Sequence, residues 1–231
     1  MVAAAKSATN TLIGNQFKDI ETIYLPNKQD SIQVPISSSA LLDNGQKSLA
    51  ICFCQSGLSL DVTRGLEIWA YIQLIKVTSQ SEQIVDNDFP KWLQFQAGYG
   101  VGKFKLSGQP CISKFARDLF SINIYPLLPE GCSIKLEIVL PEGKERALKT
   151  SNEAFGVVDG LSLIGTQAEV QTSASPKQLQ KCIEDLQNKC SESTFDGYMT
   201  FVIGENGMDL ALKFGLPAQQ IIKTGNWLGP L

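Results

Sequence analysis

The chemistry open to this chain is limited first by a missing residue. None of its 231 residues is histidine, so Ser-His and Cys-His nucleophile pairs, histidine-ligated zinc and an imidazole base are all excluded. Proton transfer would fall to a carboxylate, Lys, Tyr, Cys or the substrate itself. What the sequence offers instead is clustered glycine: G-Y-G-V-G at 98–102, glycines 156, 160 and 165 in T-S-N-E-A-F-G-V-V-D-G-L-S-L-I-G-T at 150–166, and G-E-N-G at 204–207. The 150–166 stretch mixes these glycines with Val157, Val158, Leu161, Leu163 and Ile164, and only Glu153 and Asp159 carry charge. Apolar residues that dense call for burial, yet glycines so close together weaken helix and strand alike. Two readings fit equally: core segments joined by tight turns, or bare backbone that a flat ligand approaches closely. The 98–102 cluster carries the same pair of readings, a hairpin or bulge against amides facing an anionic or planar ligand. As a nucleotide loop it is weak, because no βαβ unit with an acidic residue about 20 positions on follows it.

The elements that must position these loops come from periodicity and punctuation. Val2 to Ile13 is rich in Ala and reads as a helix. Glu21–Leu25 and Ser31–Ile36 read as strands across the turn Pro26–Asp30, followed by strands at Leu49–Cys54 and Leu66–Val77, and Trp92–Ala97 leads into the 98–102 cluster. Ile112–Phe120 has helical spacing, and Ile134–Leu140 alternates as a strand before the turn Pro141-Glu142-Gly143. A helix starts at Ser175-Pro176 and runs to about Lys189. Tyr198–Ile203 then reads as a strand, 204–207 as a turn, Met208–Phe214 as a helix and Ile221–Lys223 as a strand. Free amides at the helix start after 204–207 suit an anion or carboxylate. The expected fold is α+β: a strand-rich first domain, 1–149, followed by a smaller α/β domain, 150–231, with a short mixed sheet.

A hydrophobic content of 43%, a charged content of 19% and a formal net charge of −3 describe an ordinary globular chain and argue against a general nucleic-acid binder. No stretch approaches the ~18 uninterrupted apolar residues of a membrane helix, and the N-terminus lacks a secretory pattern, so the cytoplasm is expected. The six cysteines are scattered. Only Cys52 and Cys54 are close, at a spacing that is not C-x-x-C, so all are read as reduced packing residues and no protein-bound metal is expected.

Six segments together resemble the CbiD family, the cobalt-precorrin-5B C1-methyltransferases, in its cyanobacterial form. They are L-D-V-T-R-G (60–65), G-Y-G-V-G-K (98–103), L-P-E-G (140–143), the whole of 150–166, I-G-E-N-G-M-D-L-A (203–211) and K-T-G-N-W-L-G-P (223–230). They follow the family's order and span nearly the whole chain. The resemblance implies methyl transfer from S-adenosylmethionine to ring carbon C1 of a cobalt-bearing tetrapyrrole in anaerobic cobalamin synthesis, the cobalt being carried by the substrate. That chemistry suits a chain without histidine. The ring carbon is the nucleophile and the sulfonium is already activated, which leaves positioning and charge complementarity to the protein.

The resemblance also assigns residues. Asp61, Thr63, Gly57 and Gly65 fall on the family's first loop, Gly98, Gly100 and Gly102 on its glycine loop, and Asn123 with Pro126 on the Asn-x-x-Pro that follows. Thr150, Asn152, Gly156, Gly160, Ser162, Gly165 and Thr166 fall on the central signature, which together with the earlier loops is expected to face the macrocycle. Arg64, Lys103, Lys105, Arg117, Arg146 and Lys149 are expected to pair with its carboxylates. Gly204, Glu205, Asn206, Gly207 and Asn226 are expected to meet the methyl donor. For Thr63, Asn152 and Ser162, turn and cap hydrogen bonding is the favoured role; no residue is assigned a direct catalytic step. The expected partners are a small-molecule tetrapyrrole and, as an option, further copies of the chain, with neither nucleic acid nor membrane. Relative to the family pattern the chain is expected to be shortened at both ends, so a truncated, inactive binder of tetrapyrrole or methyl donor is the alternative.

Overall fold

The computed structural model describes residues 1–26, 30–55, 61–76, 89–150, 152–163 and 176–224. Contacts divide the chain into two compact units, Met1–Ala168 and Glu169–Leu231. The division falls later than a join near Lys149, because residues 157–161 are held by strand pairing to residues 100–104 of the first unit.

In chain order the first unit contains α1 (Val2–Leu12), β1 (Ile20–Tyr24), β2 (Ser31–Pro35), β3 (Ser38–Leu42), β4 (Lys47–Phe53), β5 (Glu67–Lys76) and β6 (Leu93–Ala97). After these come β7 (Gly100–Val101), β8 (Lys103–Phe104), α2 (Lys114–Asn123), β9 (Cys132–Val139), α3 (Gly143–Ala147), β10 (Val157–Val158) and β11 (Gly160–Leu161). The main sheet has five strands in the order β3-β4-β5-β9-β6, antiparallel except for β6, which runs parallel to β9. This is the chain's mixed sheet. Alternation sends Ser48, Ala50 and Cys52, Ala70 and Ile72, and Ile134, Leu136 and Ile138 to one buried face.

α1 covers that face, packing on β3, β4 and β5 and also on β1 and α2. A helix enclosed on so many sides needs small side chains, and Ala3, Ala4, Ala5 and Ala8 are all buried. Ser48 donates to the Ala8 carbonyl at 2.7 Å, which satisfies a hydroxyl that the packing removes from water. Lys6 donates to the Thr22 carbonyl at 2.6 Å, with Glu21 3.8 Å away. Desolvation lowers its pKa against the opposing pull of Glu21. α2 begins one residue after Ser113, whose hydroxyl accepts from the Ala116 amide, so the helix starts later than its apolar spacing suggests. Asn123 is buried and bridges α2 to β1 through the Tyr24 amide and carbonyl.

The second unit contains α4 (Pro176–Ser191), β12 (Thr200–Ile203), α5 (Gly204–Lys213) and β13 (Ile221–Thr224). β12 and β13 pair in parallel. α5 is the crossover between them, and Val202, Ala211 and Ile221 make the core with Met208 and Leu216. Residues 204–207, expected as a turn, are instead the first turn of α5: Gly204 has φ +63°, which lets the strand pass directly into the helix. All six cysteines are free. No helix among the described residues is long and apolar enough to cross a membrane.

Candidate functional site

Three segments of the chain meet beside the end of β9. Gly98 donates its amide to the Ile138 carbonyl at 2.8 Å, and Leu140 donates to the Tyr99 carbonyl at 2.9 Å, which brings the 98–102 loop against the 138–143 turn. Gly102 donates to the Leu161 carbonyl at 2.8 Å, and Lys105 to that of Gly156 at 2.8 Å, which lays 156–161 along the other side of the same loop.

Glycine is what lets three backbones share this space. A β-carbon on Gly100 would collide with the Leu140 carbonyl oxygen, one on Gly143 with the Gly100 carbonyl, and one on Gly160 with the same Gly100 carbonyl. At Gly102 it would lie 2.6 Å from Val157 Cγ1 and 2.9 Å from the Gly160 oxygen, and at Gly98 2.7 Å from the Ile138 oxygen. The room left by the absent side chains at 98, 100, 102, 143 and 160 is therefore filled by the protein itself. Gly156 differs. Its φ is +70° and nothing lies within 4 Å of where a side chain would start.

Around this joint the polar residues hold turns. Asn152 donates from Nδ2 to the Gly160 carbonyl at 3.1 Å and accepts at Oδ1 from the Ser162 hydroxyl at 3.2 Å, so it spans the 152–162 loop. The Thr150 hydroxyl donates to the Ala147 carbonyl at 2.7 Å. Asp61 Oδ1 accepts from both the amide and the hydroxyl of Thr63 at 2.8 Å. These are the turn and cap roles that their residue types favour. Arg146, expected to meet substrate carboxylates, is committed within the protein. Its guanidinium donates to the Val62 and Arg64 carbonyls at 2.8 and 2.7 Å and to Glu142 Oε2 at 2.9 and 2.7 Å. It thereby ties the 61–65 loop to α3, and Arg64 itself stays exposed. Lys103 is half-buried in β8 opposite Val158.

Beside the joint lies a cleft of about 350 Å³ lined by Lys144, Ala147 and Leu148 on one side and by Thr150, Asn152, Glu153 and Val157–Gly160 on the other. Ala147, Leu148, Val157 and Val158 supply apolar surface, and Leu148 is 85% exposed. Lys144 Nζ sits 4.9 Å from the centre of the Tyr99 ring. Asp159 has φ +68°, a left-handed conformation that Asp tolerates better than most residues. Sequence reasoning missed Lys144, Tyr99 and Leu148, because the order of residues does not show that a five-residue helix follows Pro141-Glu142 and turns Lys144 back over Tyr99. Of the expected site residues, Thr150, Asn152 and Gly160 line the cleft, Ser162 supports it through Asn152, and Gly156 lies in the loop between.

Gly57, Gly165, Thr166 and Asn226 lie outside the described residues, and Glu205 and Asn206 are described in backbone only. Gly204 and Gly207 belong to the second unit, where a β-carbon on Gly207 would lie 3.0 Å from Val202 Cβ. In that unit a second cleft of about 610 Å³ is lined by α4 residues including Cys182 and Lys189, with Met208, Ile221 and Lys223. Lys189 donates to the Ala218 and Ile221 carbonyls there. Among the described residues no group of three or more Cys, Asp and Glu is placed to hold a metal ion.

The CbiD family model matches residues 1–172. The chain belongs to the CbiD family. A Prochlorococcus marinus (strain NATL1A) protein named cobalt-precorrin-5B C(1)-methyltransferase is 75% identical over 231 residues, covering 100% of this chain and 61% of its own length. A protein of the same name from Synechococcus sp. (strain CC9605) is 43% identical, over 100% of this chain and 59% of its own. The chain thus spans about 60% of the length of the curated CbiD relatives it matches. The 1.9 Å crystal structure of the cobalamin biosynthesis protein CbiD from Archaeoglobus fulgidus superposes with a TM-score of 0.52 at 21% identity, over 96% of this chain and 66% of that one. That likeness establishes the shared fold.

Proposed function

We propose that this CbiD chain takes part in methyl transfer from S-adenosylmethionine to ring carbon C1 of cobalt-precorrin-5B, the reaction for which its relatives are named. One observation carries the reading. The segments that bear the family resemblance in the first unit, 61–65, 98–103, 140–143 and 150–162, converge on one joint with a cleft beside it. In the reaction the ring carbon's electron pair forms the new carbon–carbon bond. The pair of the breaking sulfur–methyl bond returns to sulfur, leaving a neutral thioether, and the sulfonium's positive charge passes with the methyl group to the tetrapyrrole. The protein's share is to hold donor and acceptor in line and keep water away. The substrate is a small molecule bearing its own cobalt, and the compartment is the cytoplasm.

The test is to incubate the chain with S-adenosylmethionine and cobalt-precorrin-5B and weigh the tetrapyrrole by mass spectrometry. A product heavier by one methyl group is expected. Unchanged substrate, under conditions where a full-length relative methylates it, would refute activity in this chain.

A further inference from the structure

The cleft beside the glycine joint has a charge pattern that selects between the two reactants. Its charged lining is one cation, Lys144, and two carboxylates, Glu153 and Asp159. None of the three is in an ion pair among the described residues, whereas Arg146 on the same short helix is fully occupied by Glu142 and two carbonyls. Lys144 is held over the Tyr99 face, which fixes the cation without neutralising it. Asp159 is kept at a left-handed position in the two-strand turn where glycine would be the easier residue. Between these charges lies the apolar surface of Ala147, Leu148, Val157 and Val158, with Thr150 and Asn152 as polar neighbours.

A macrocycle fringed with carboxylates meets a net negative lining here, and like charges brought together disfavour binding. A volume of about 350 Å³ is also at the small end of ligand sites, which run from roughly 300 to 1,000 Å³. S-adenosylmethionine has the complementary set: one carboxylate, two cationic centres in its ammonium and sulfonium, and an apolar base with a hydroxyl-bearing sugar. On the strength of the proposed methyl transfer, we infer that the cleft between α3 and the β10–β11 turn seats the methyl donor. Lys144 receives its carboxylate, and Glu153 and Asp159 receive its cationic centres. The 150–160 segment, expected to face the macrocycle, then serves the donor, a role expected of 204–207 and Asn226.

Calorimetric titration of the chain with S-adenosylmethionine and with S-adenosylhomocysteine, which lacks the sulfonium charge, tests this. One-to-one binding with the sulfonium form preferred is expected. Glu153→Gln with Asp159→Asn should weaken S-adenosylmethionine about tenfold and abolish the preference, and Lys144→Met should weaken both ligands about three- to fivefold. All three side chains are at the surface, and asparagine tolerates the Asp159 conformation, so thermal melts of the variants should match the parent. If the parent binds S-adenosylmethionine and the cleft variants bind it equally well, the donor sits elsewhere and the methyl-transfer reading survives. Loss of binding in Asn226→Ala instead would move the donor to the second unit. If the parent shows no heat at millimolar donor, the methyl-transfer reading itself fails, and the cleft assignment with it.

Discussion

Gly100 and Gly156 sit on facing sides of the same loop pairing and do opposite things. Both have positive φ, but Gly100 has the Leu140 carbonyl where a side chain would begin and the Gly160 backbone pressed against its own carbonyl, while Gly156 has open space. The first is glycine above all because three stretches of backbone occupy one place. The second is glycine because a turn needs a left-handed residue. A cluster that looks uniform in sequence therefore separates into a solid joint and an open rim, and only the rim and the cleft beside it have room for a ligand.

Substitutions can break that contrast, beginning with the joint. Gly160→Ala, or Gly100→Ala, should cost on the order of 4 kcal/mol or prevent folding, because the clash is with backbone that has no rotamer to move; chemical denaturation of the variant measures it. A variant as stable as the parent would mean that the three backbones do not meet. Asn152→Ala removes two hydrogen bonds across the 152–162 loop and should cost about 1–2 kcal/mol, read the same way. Gly156→Ala should cost about 1 kcal/mol from backbone strain alone, with nothing to collide with.

A smaller effect comes from thiol chemistry. Cys111 is tied into the joint, its amide donating to Gly102 and its carbonyl accepting from Leu163, and burial raises its pKa above the ordinary thiol value. Its native form stays protonated where the unfolded chain ionises, so its contribution to stability is full below the unfolded pKa and is lost as pH rises through the folded one. Timed alkylation at mildly alkaline pH should label exposed Cys190 first and Cys111 late. Early labelling of Cys111 would show that the joint opens.

Much of the frame was legible because it rests on local pattern. Alternation gave β9, apolar runs between turns gave β4 and β5, and the alanine run gave α1, since these patterns survive burial on one face. β3 escaped because Ser38-Ser39-Ala40 is polar and lies at the sheet edge, where little burial is demanded of it. α3 escaped because five residues are too few for a period. At the site, the turn roles of Thr63 and Asn152 could be read from residue type, whereas those of Asp61 and Thr150, expected to face the macrocycle, could not. The roles of Arg146 and Lys144 could not. Two neighbouring cations on one short helix look alike in sequence, and only tertiary structure gives one to the protein's own carbonyls and leaves the other over an aromatic face at the mouth of a cleft.

A joint closed by the protein itself beside a cleft kept for a ligand should show in amide hydrogen exchange with and without S-adenosylmethionine. Amides at 100–102 and 160–161 should exchange slowly in the free chain and not change, while those at 152–159 gain protection on adding the donor. Fast exchange at 100–102 that slows only when the donor is present would contradict such a joint.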